Sequence, residues 1–292
     1  MNLFLNWQLQ SAKLVKITLM LNLKNFPVTV ELSSLAGSDV SAIIAESKSL
    51  RADAFNIPDG ILGRLTIDPV VLAFRIREAT SIPTIAHLTC RDSTRLGLAQ
   101  KVLAAGNLGV DGILALSGDA AGKNVFEIRT PGLIELIQEL NAGEFLDKKI
   151  KSPTELQIAV AVNPNVDGQI EYLKEKEAAG ADFAQTQPVF DLATADKFLE
   201  AVKKAGIQIP ILLGIMPLKN LKVAEYFNAK VHGVTIPKSI LAKLEQDENC
   251  GADLAIELLE KLKSRLDGVH IMPLGKTESA NKIYDFLKNG EQ

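Results

Sequence analysis

The stretch PTIAHLTCRDSTRLGLAQKVLAAGNLGVDGILALSGD, residues 83–119, decides the fold. Two short apolar runs, Pro83–Leu88 and Gly112–Leu116, flank a helical pattern, and each run ends in a cluster of polar residues. Apolar runs of that length read as strands buried on both faces, as in a parallel sheet covered by helices. The same unit recurs on either side. Upstream lie Val28–Leu32 and Asp53–Ile57; downstream lie Gln157–Val162, Phe183–Thr186, Pro210–Gly214 and Gly268–Met272. Eight such strands alternating with helices predict an α/β protein, a single-domain (β/α)8 TIM barrel rather than an open sheet. A ninth extended run, Val231–Ile236, ends at Pro237 and reads as a loop or an extra strand.

The intervening helices carry the periodicity of an outer ring. Leu133, Leu136, Ile137 and Leu140 fall at i, i+3, i+4 and i+7, as do Ala195, Phe198, Leu199 and Val202. The second set runs into Lys203, Lys204 and Gly206, a helix stop with favourable dipole charges. Ala255, Leu258, Leu259, Leu262 and Leu266 supply the helix before the last strand. No Pro-, Gly- or Ser-rich linker divides the chain, so residues 24–292 read as one barrel domain. Residues 1–23 form an N-terminal extension. It is either a helix packing on the barrel floor or a segment upstream of an alternative start at Met20.

Composition narrows the class. Of 292 residues, 47% are hydrophobic and 23% charged, which suits a globular core that needs no disulfide or metal to hold it. A net charge of -3 without any basic block argues against nucleic acid or an anionic membrane as partner. Cys90 and Cys250 are far apart and read as free thiols of a reducing cytoplasm. With only His87, His232 and His270 beside them, and none at ligand spacing, no zinc site is expected. The N-terminus has no signal-peptide pattern, and no apolar run reaches the ~18 residues of a membrane span.

In a barrel the residues at the carboxyl ends of strands build the site. Here those ends carry Glu31; Asn56 and Asp59; His87, Thr89, Arg91 and Asp92; Ser117, Gly118 and Asp119; Asn163, Asn165 and Asp167; Gln185 and Gln187; then Gly214, Met216 and Pro217. Several have plain readings. A charge at Glu31, within a strand, is costly unless paired or functional. Taken alone, His87 is a hydrogen-bonded structural histidine, Cys90 an inert buried thiol, and Asp92 and Ser93 caps of the next helix. The run Ser117-Gly-Asp-Ala-Ala-Gly-Lys-Asn124 imitates a phosphate loop. It is one residue short between its glycines and ends in Lys-Asn rather than Lys-Ser/Thr, so it is rejected as one.

Taken in order, TVEL (29–32), DAFNIPD (53–59), HLTCRD (87–92), ILALSGD (113–119), AVNPN (161–165), TQPVFD (186–191), ILLGIMPLKN (211–220), GVTIP (233–237) and GVHIMP (268–273) resemble the methylenetetrahydrofolate reductase family. The likeness runs roughly from Pro27 to Leu287 and is greatest to the branch whose barrel can be fused to a homocysteine methyltransferase domain. It implies reduction of 5,10-methylenetetrahydrofolate to 5-methyltetrahydrofolate at a flavin, in the one-carbon chemistry that serves methionine synthesis. FAD is the flavin implied, with FMN or none as alternatives. By the same resemblance Glu31 is the general acid that opens the methylene bridge, a role worth roughly 100- to 10,000-fold in rate. Asp119 lies beside flavin and pterin and shares in catalysis and folate binding; Gln187 binds the pterin and Phe227 stacks on the aminobenzoate. Asn56, His87, Ser117, Gly118, Asn163, Lys176 and the backbone at Ala181 contact the flavin.

The chain departs from the family pattern in places. Ser33-Ser34-Leu35 follows Glu31 where two prolines are usual, and Ser117 replaces an arginine common before Gly-Asp. The last motif becomes Met-Pro-Leu-Gly-Lys-Thr-Glu at 272–278. Asn163 and Asp167 stand where many members place an aromatic and a histidine against the flavin. The folate half is retained and the flavin half rewritten. That leaves two alternatives open: a flavin-free, nicotinamide-dependent reductase on the same barrel, and a non-catalytic folate-binding or accessory subunit. The donor is NADH, NADPH or another carrier, since no GxGxxG opens a helix. A homo-oligomer is expected, and an electron-transfer partner subunit is among the options.

Overall fold

A computed structural model describes residues 21–33, 36–60, 63–119, 125–231 and 233–289. The expectations attached to residues 1–20, Ser34–Leu35, 120–124 and His232 lie outside them. The barrel strands are β1 (Val28–Glu31), β2 (Ala54–Ile57), β3 (Thr84–Thr89), β4 (Gly112–Leu116), β7 (Gln157–Val162), β8 (Phe183–Pro188), β9 (Ile211–Ile215) and β10 (Gly268–Ile271). They close in the order β1-β10-β9-β8-β7-β4-β3-β2, every pair parallel. A small antiparallel hairpin of β5 (Glu144–Phe145) and β6 (Lys148–Lys149) was not foreseen; two-residue strands leave no periodic trace.

The helices sit where the apolar stripes put them. The Thr130–Asn141 helix buries Leu133, Ile134, Leu136, Ile137 and Leu140 completely, each worth about 1.5–3 kcal/mol relative to exposure. The Leu192–Ala205 helix starts on the Asp191 carboxylate, which accepts from Thr194 N, and stops at Gly206 in the left-handed conformation. The helix after β3 is capped by Thr94, whose hydroxyl accepts from Gly97 N, and not by Asp92 or Ser93. Those two residues turn the chain before the helix begins, and Asp92 has a φ of +56°. The described part of 231–236 is a loop. Asn228 supplies the partner that a strand would have had, accepting from Ile236 N at 2.7 Å and donating to Ile236 O at 3.0 Å. No helix among the described residues is long and apolar enough to cross a membrane.

Inside the barrel the side chains are stacked in layers. Ala54, Ile85, Leu114, Ala159, Phe183 and Leu212 form an apolar layer at the amino end, and Leu21 seals it from below. Leu21 is held by Gln157, which accepts from its N–H at 2.8 Å and donates to its carbonyl at 3.1 Å. Strand alternation places the next inward residues, Thr29, Asn56, His87, Gln185 and His270, one layer higher. That layer is polar.

The register between β8 and β9 slips beyond Gln185, so that Pro188 rather than Gln187 faces Gly214. The slip extends β8 past its predicted end at Thr186. It also packs backbone against backbone: a Cβ on Gly214 would lie 2.2 Å from Thr186 O and 2.8 Å from Gln187 O. Gly214→Ala therefore forces two strands apart. It is expected to cost about 1–3 kcal/mol in urea unfolding, a typical overpacking penalty.

Candidate active site

Glu31 ends β1 directly above the polar layer, and its Cα is in register with that of Asn56 on β2. The layer is tied together across the barrel. Gln185 Nε2 donates to Thr29 Oγ1 at 3.2 Å, and Thr29 Oγ1 lies 2.8 Å from His270 Nδ1. The other nitrogen of the His270 imidazole, Nε2, turns toward Glu31. That nitrogen is 3.9 Å from Glu31 Oε2. On the other side His87 Nε2 lies 3.1 Å from Asn56 Oδ1.

None of this provides Glu31 with a cation. Burial pushes His270 down to about 3, and burial followed by repulsion from His270 does the same to His87. Both rings are neutral at any physiological pH. Glu31 keeps a quarter of its side chain accessible, yet the carboxyl is surrounded by protein. Burial raises its pKa to about 7. The result is a carboxylic acid that holds its proton near neutrality, as a general acid must.

The groups around the mouth differ in their burial and in the partners they hold. The Asp59 carboxylate accepts from both Thr89 N and Thr89 Oγ1, and Asp92 exchanges hydrogen bonds with the backbone of Val125. Ser117 Oγ is 2.8 Å from Thr130 Oγ1. Asn163 closes its own turn, accepting from Asn165 N at 3.0 Å, while Asn165 donates to Gly233 O. By contrast Asp119 and Gln187 are exposed. Phe227 is half-buried on the Leu221–Lys230 helix, packed in a satellite apolar cluster with Met216, Leu218 and Ile236 beside β9. Cys90 is buried and its thiol is pushed up to about 11, an inert group.

The flavin-side residues are less uniform. Asn56 Nδ2 and Gln185 Oε1 are buried in the polar layer with no hydrogen-bond partner among the described residues, an unsatisfied donor and acceptor beneath the strand-end face. Gly118 has a φ of +91°, which brings its backbone to the face. Lys176 rises from the Gln169–Ala178 helix to donate to Ala161 O at 2.7 Å, with Tyr172 under its ammonium. Burial lowers it to about 8. Ala181 is not brought to this face: it precedes β8 at the opposite end of the barrel, where its N–H bonds Lys176 O. Sequence reading missed Thr29 and His270 as site residues. Thr29 shares Glu31's face two residues earlier, a signal that was available; the pairing with His270 needs the β1–β10 register, which was not.

The family model for methylenetetrahydrofolate reductase matches residues 43–288. The chain belongs to that family. Among relatives, the 5,10-methylenetetrahydrofolate reductase of Buchnera aphidicola subsp. Baizongia pistaciae is 31% identical over 74% of this chain and 74% of its own. That of Salmonella typhimurium is 30% identical over 71% of each. Among solved structures, a Clostridium thermocellum protein described as binding two copies of 5-methyl-5,6,7,8-tetrahydrofolic acid matches with a TM-score of 0.64. It is 17% identical, over 92% of this chain and 99% of that one, and so attests the shared fold.

A raised carboxyl has a thermodynamic signature. Between its unfolded value of 4.5 and about 7 the native chain holds a proton that the unfolded chain has released, so stability falls as pH rises through that window. Glu31→Gln removes the penalty. Relative to wild type, the variant is expected to gain up to roughly 3 kcal/mol between pH 4 and pH 8 in urea denaturation.

Proposed function

We propose that this chain reduces 5,10-methylenetetrahydrofolate to 5-methyltetrahydrofolate, with Glu31 as general acid. The observation that carries the reading is the Glu31 carboxyl itself, buried above neutral His270 and protonated up to about pH 7. Protonation of the bridge nitrogen by Glu31 breaks the methylene bridge and leaves the carbon as an iminium open to hydride. His270 Nε2, 3.9 Å from Glu31 Oε2, then faces the carboxylate that has given up its proton. Asp119 and Gln187, exposed at the ends of β4 and β8, are the groups that bind the hydrogen-bonding edge of the pterin. Phe227 is the apolar face for the aminobenzoate ring.

The floor suits a flavin, and FAD is the one proposed. Asn56 Nδ2, Gln185 Oε1 and the Gly118 backbone would meet its ring, and the remaining protons of Lys176 its polar tail. When bound, a flavin supplies hydride transfer, and a reduced nicotinamide is the proposed donor. The engaged side chains of Ser117 and Asn163 add little to that hold.

The purified protein, assayed with FAD, reduced nicotinamide and 5,10-methylenetetrahydrofolate, is expected to turn over and to lose rate as pH rises through about 7. Glu31→Gln should cut kcat by roughly 100- to 10,000-fold, the usual worth of a positioned acid. Absence of turnover with flavin supplied, or a wild-type rate in Glu31→Gln, would overturn the assignment. A visible spectrum of the same preparation reports flavin content directly.

A further inference from the structure

One charged side chain at the strand-end face has no part in the roles assigned above. Arg91 leaves β3 two residues after Thr89, and only 10% of its side chain is accessible. Its guanidinium spans both neighbouring loops. Nη1 donates to the main-chain carbonyl of Asp119, beyond β4, at 2.8 Å, and Nη2 lies 3.4 Å from the carbonyl of Gly60, beyond β2. Nε is 3.5 Å from Asp92 Oδ2, which balances the charge. The slot is tight. A Cβ on Gly60 would come within 2.9 Å of Nη2, and one on Gly118 within 2.9 Å of Arg91 Cβ and 3.0 Å of Thr89 Cβ.

A planar fork of five donors can hold carbonyls that lie in different directions, where an ammonium on a flexible stem reaches one of them. The Arg91 main chain is fixed as well, since its N–H donates to Ser117 O at 3.1 Å. Backbone and side chain thus grip the 117–119 turn at both of its ends. That turn carries Asp119, whose side chain is exposed.

We infer that Arg91 is a positioning residue for folate binding: it locks the turn of Gly118 and Asp119 onto the end of β3, so that the Asp119 carboxylate meets the pterin in one orientation. The inference rests on the reading of Asp119 as a folate ligand. Glu31 stands on β1, on the far side of β2, so loss of the clamp should weaken binding and leave the proton transfer intact.

Steady-state kinetics on Arg91→Met, Arg91→Lys, Asp119→Asn and the Arg91→Met/Asp119→Asn double variant test this. Arg91→Met is expected to raise the folate KM about tenfold with kcat within about threefold, and Arg91→Lys to fall between it and wild type. If Arg91 acts through Asp119, adding Arg91→Met to Asp119→Asn should raise KM by less than about twofold more. Additive effects, an unchanged KM, or a kcat loss as large as the KM rise would overturn the inference. Should Arg91→Met not fold, the same cycle is run with Arg91→Lys. A wild-type KM in Asp119→Asn alone would remove the reading on which the inference stands, and that outcome needs no Arg91 variant to be seen.

Discussion

A carboxyl group keeps its proton at neutral pH only where its charged form is poorly served, and the interior of this barrel arranges that for Glu31. The imidazole facing it belongs to His270, which burial holds neutral, and the second histidine of the layer, His87, is neutral for the same reason. Were either ring to charge, attraction would draw the Glu31 proton off and its pKa would drop. Neutrality of the polar layer is therefore the condition for the acid. Thr29, Asn56 and Gln185 meet it, since they hold the rings through hydrogen bonds and add no charge.

The rest of the architecture serves that layer. Below it, the apolar stack capped by Leu21 closes the amino end, so the layer opens toward the strand-end face. Above it, two acids that might have competed with Glu31 for a ligand are occupied. Asp59 holds Thr89 and Asp92 holds Val125, each through a backbone N–H. At Asp119, Arg91 grips the main-chain carbonyl, and the residue is exposed. The close approach at Gly214 does comparable work on the other side of the mouth, where Gln187 stands exposed beyond the slip in register.

Much of this was legible in the chain. β4 and β7 coincide with the runs read from sequence, since a continuous apolar strand bounded by polar residues leaves little choice of register or length. β8 ran two residues further than its apolar run because the irregular pairing with β9 depends on Gly214, a residue far along the chain. Val231–Ile236 carries the β-branched pattern of a strand, but the Asn228 side chain takes up both main-chain hydrogen bonds of Ile236. In the site, the exposed polar ends were readable as a set because every strand of a barrel delivers its end to one face. What could not be read was who touches whom. His270 looks like a mid-strand core residue until β10 is paired with β1, and Arg91 looks like a solvent arginine until the loops on either side are in place. Ala181 stands before β8, at the amino end of the barrel, a position that the order of the chain alone implies.

The central claim is the protonation of Glu31, and a direct titration tests it. Carbon-13 NMR of protein labelled at the glutamate side-chain carboxyls, with the Glu31→Gln variant identifying the resonance, follows that one group through pH. The account predicts a midpoint near 7. A midpoint at the ordinary value of 4.5 would contradict it.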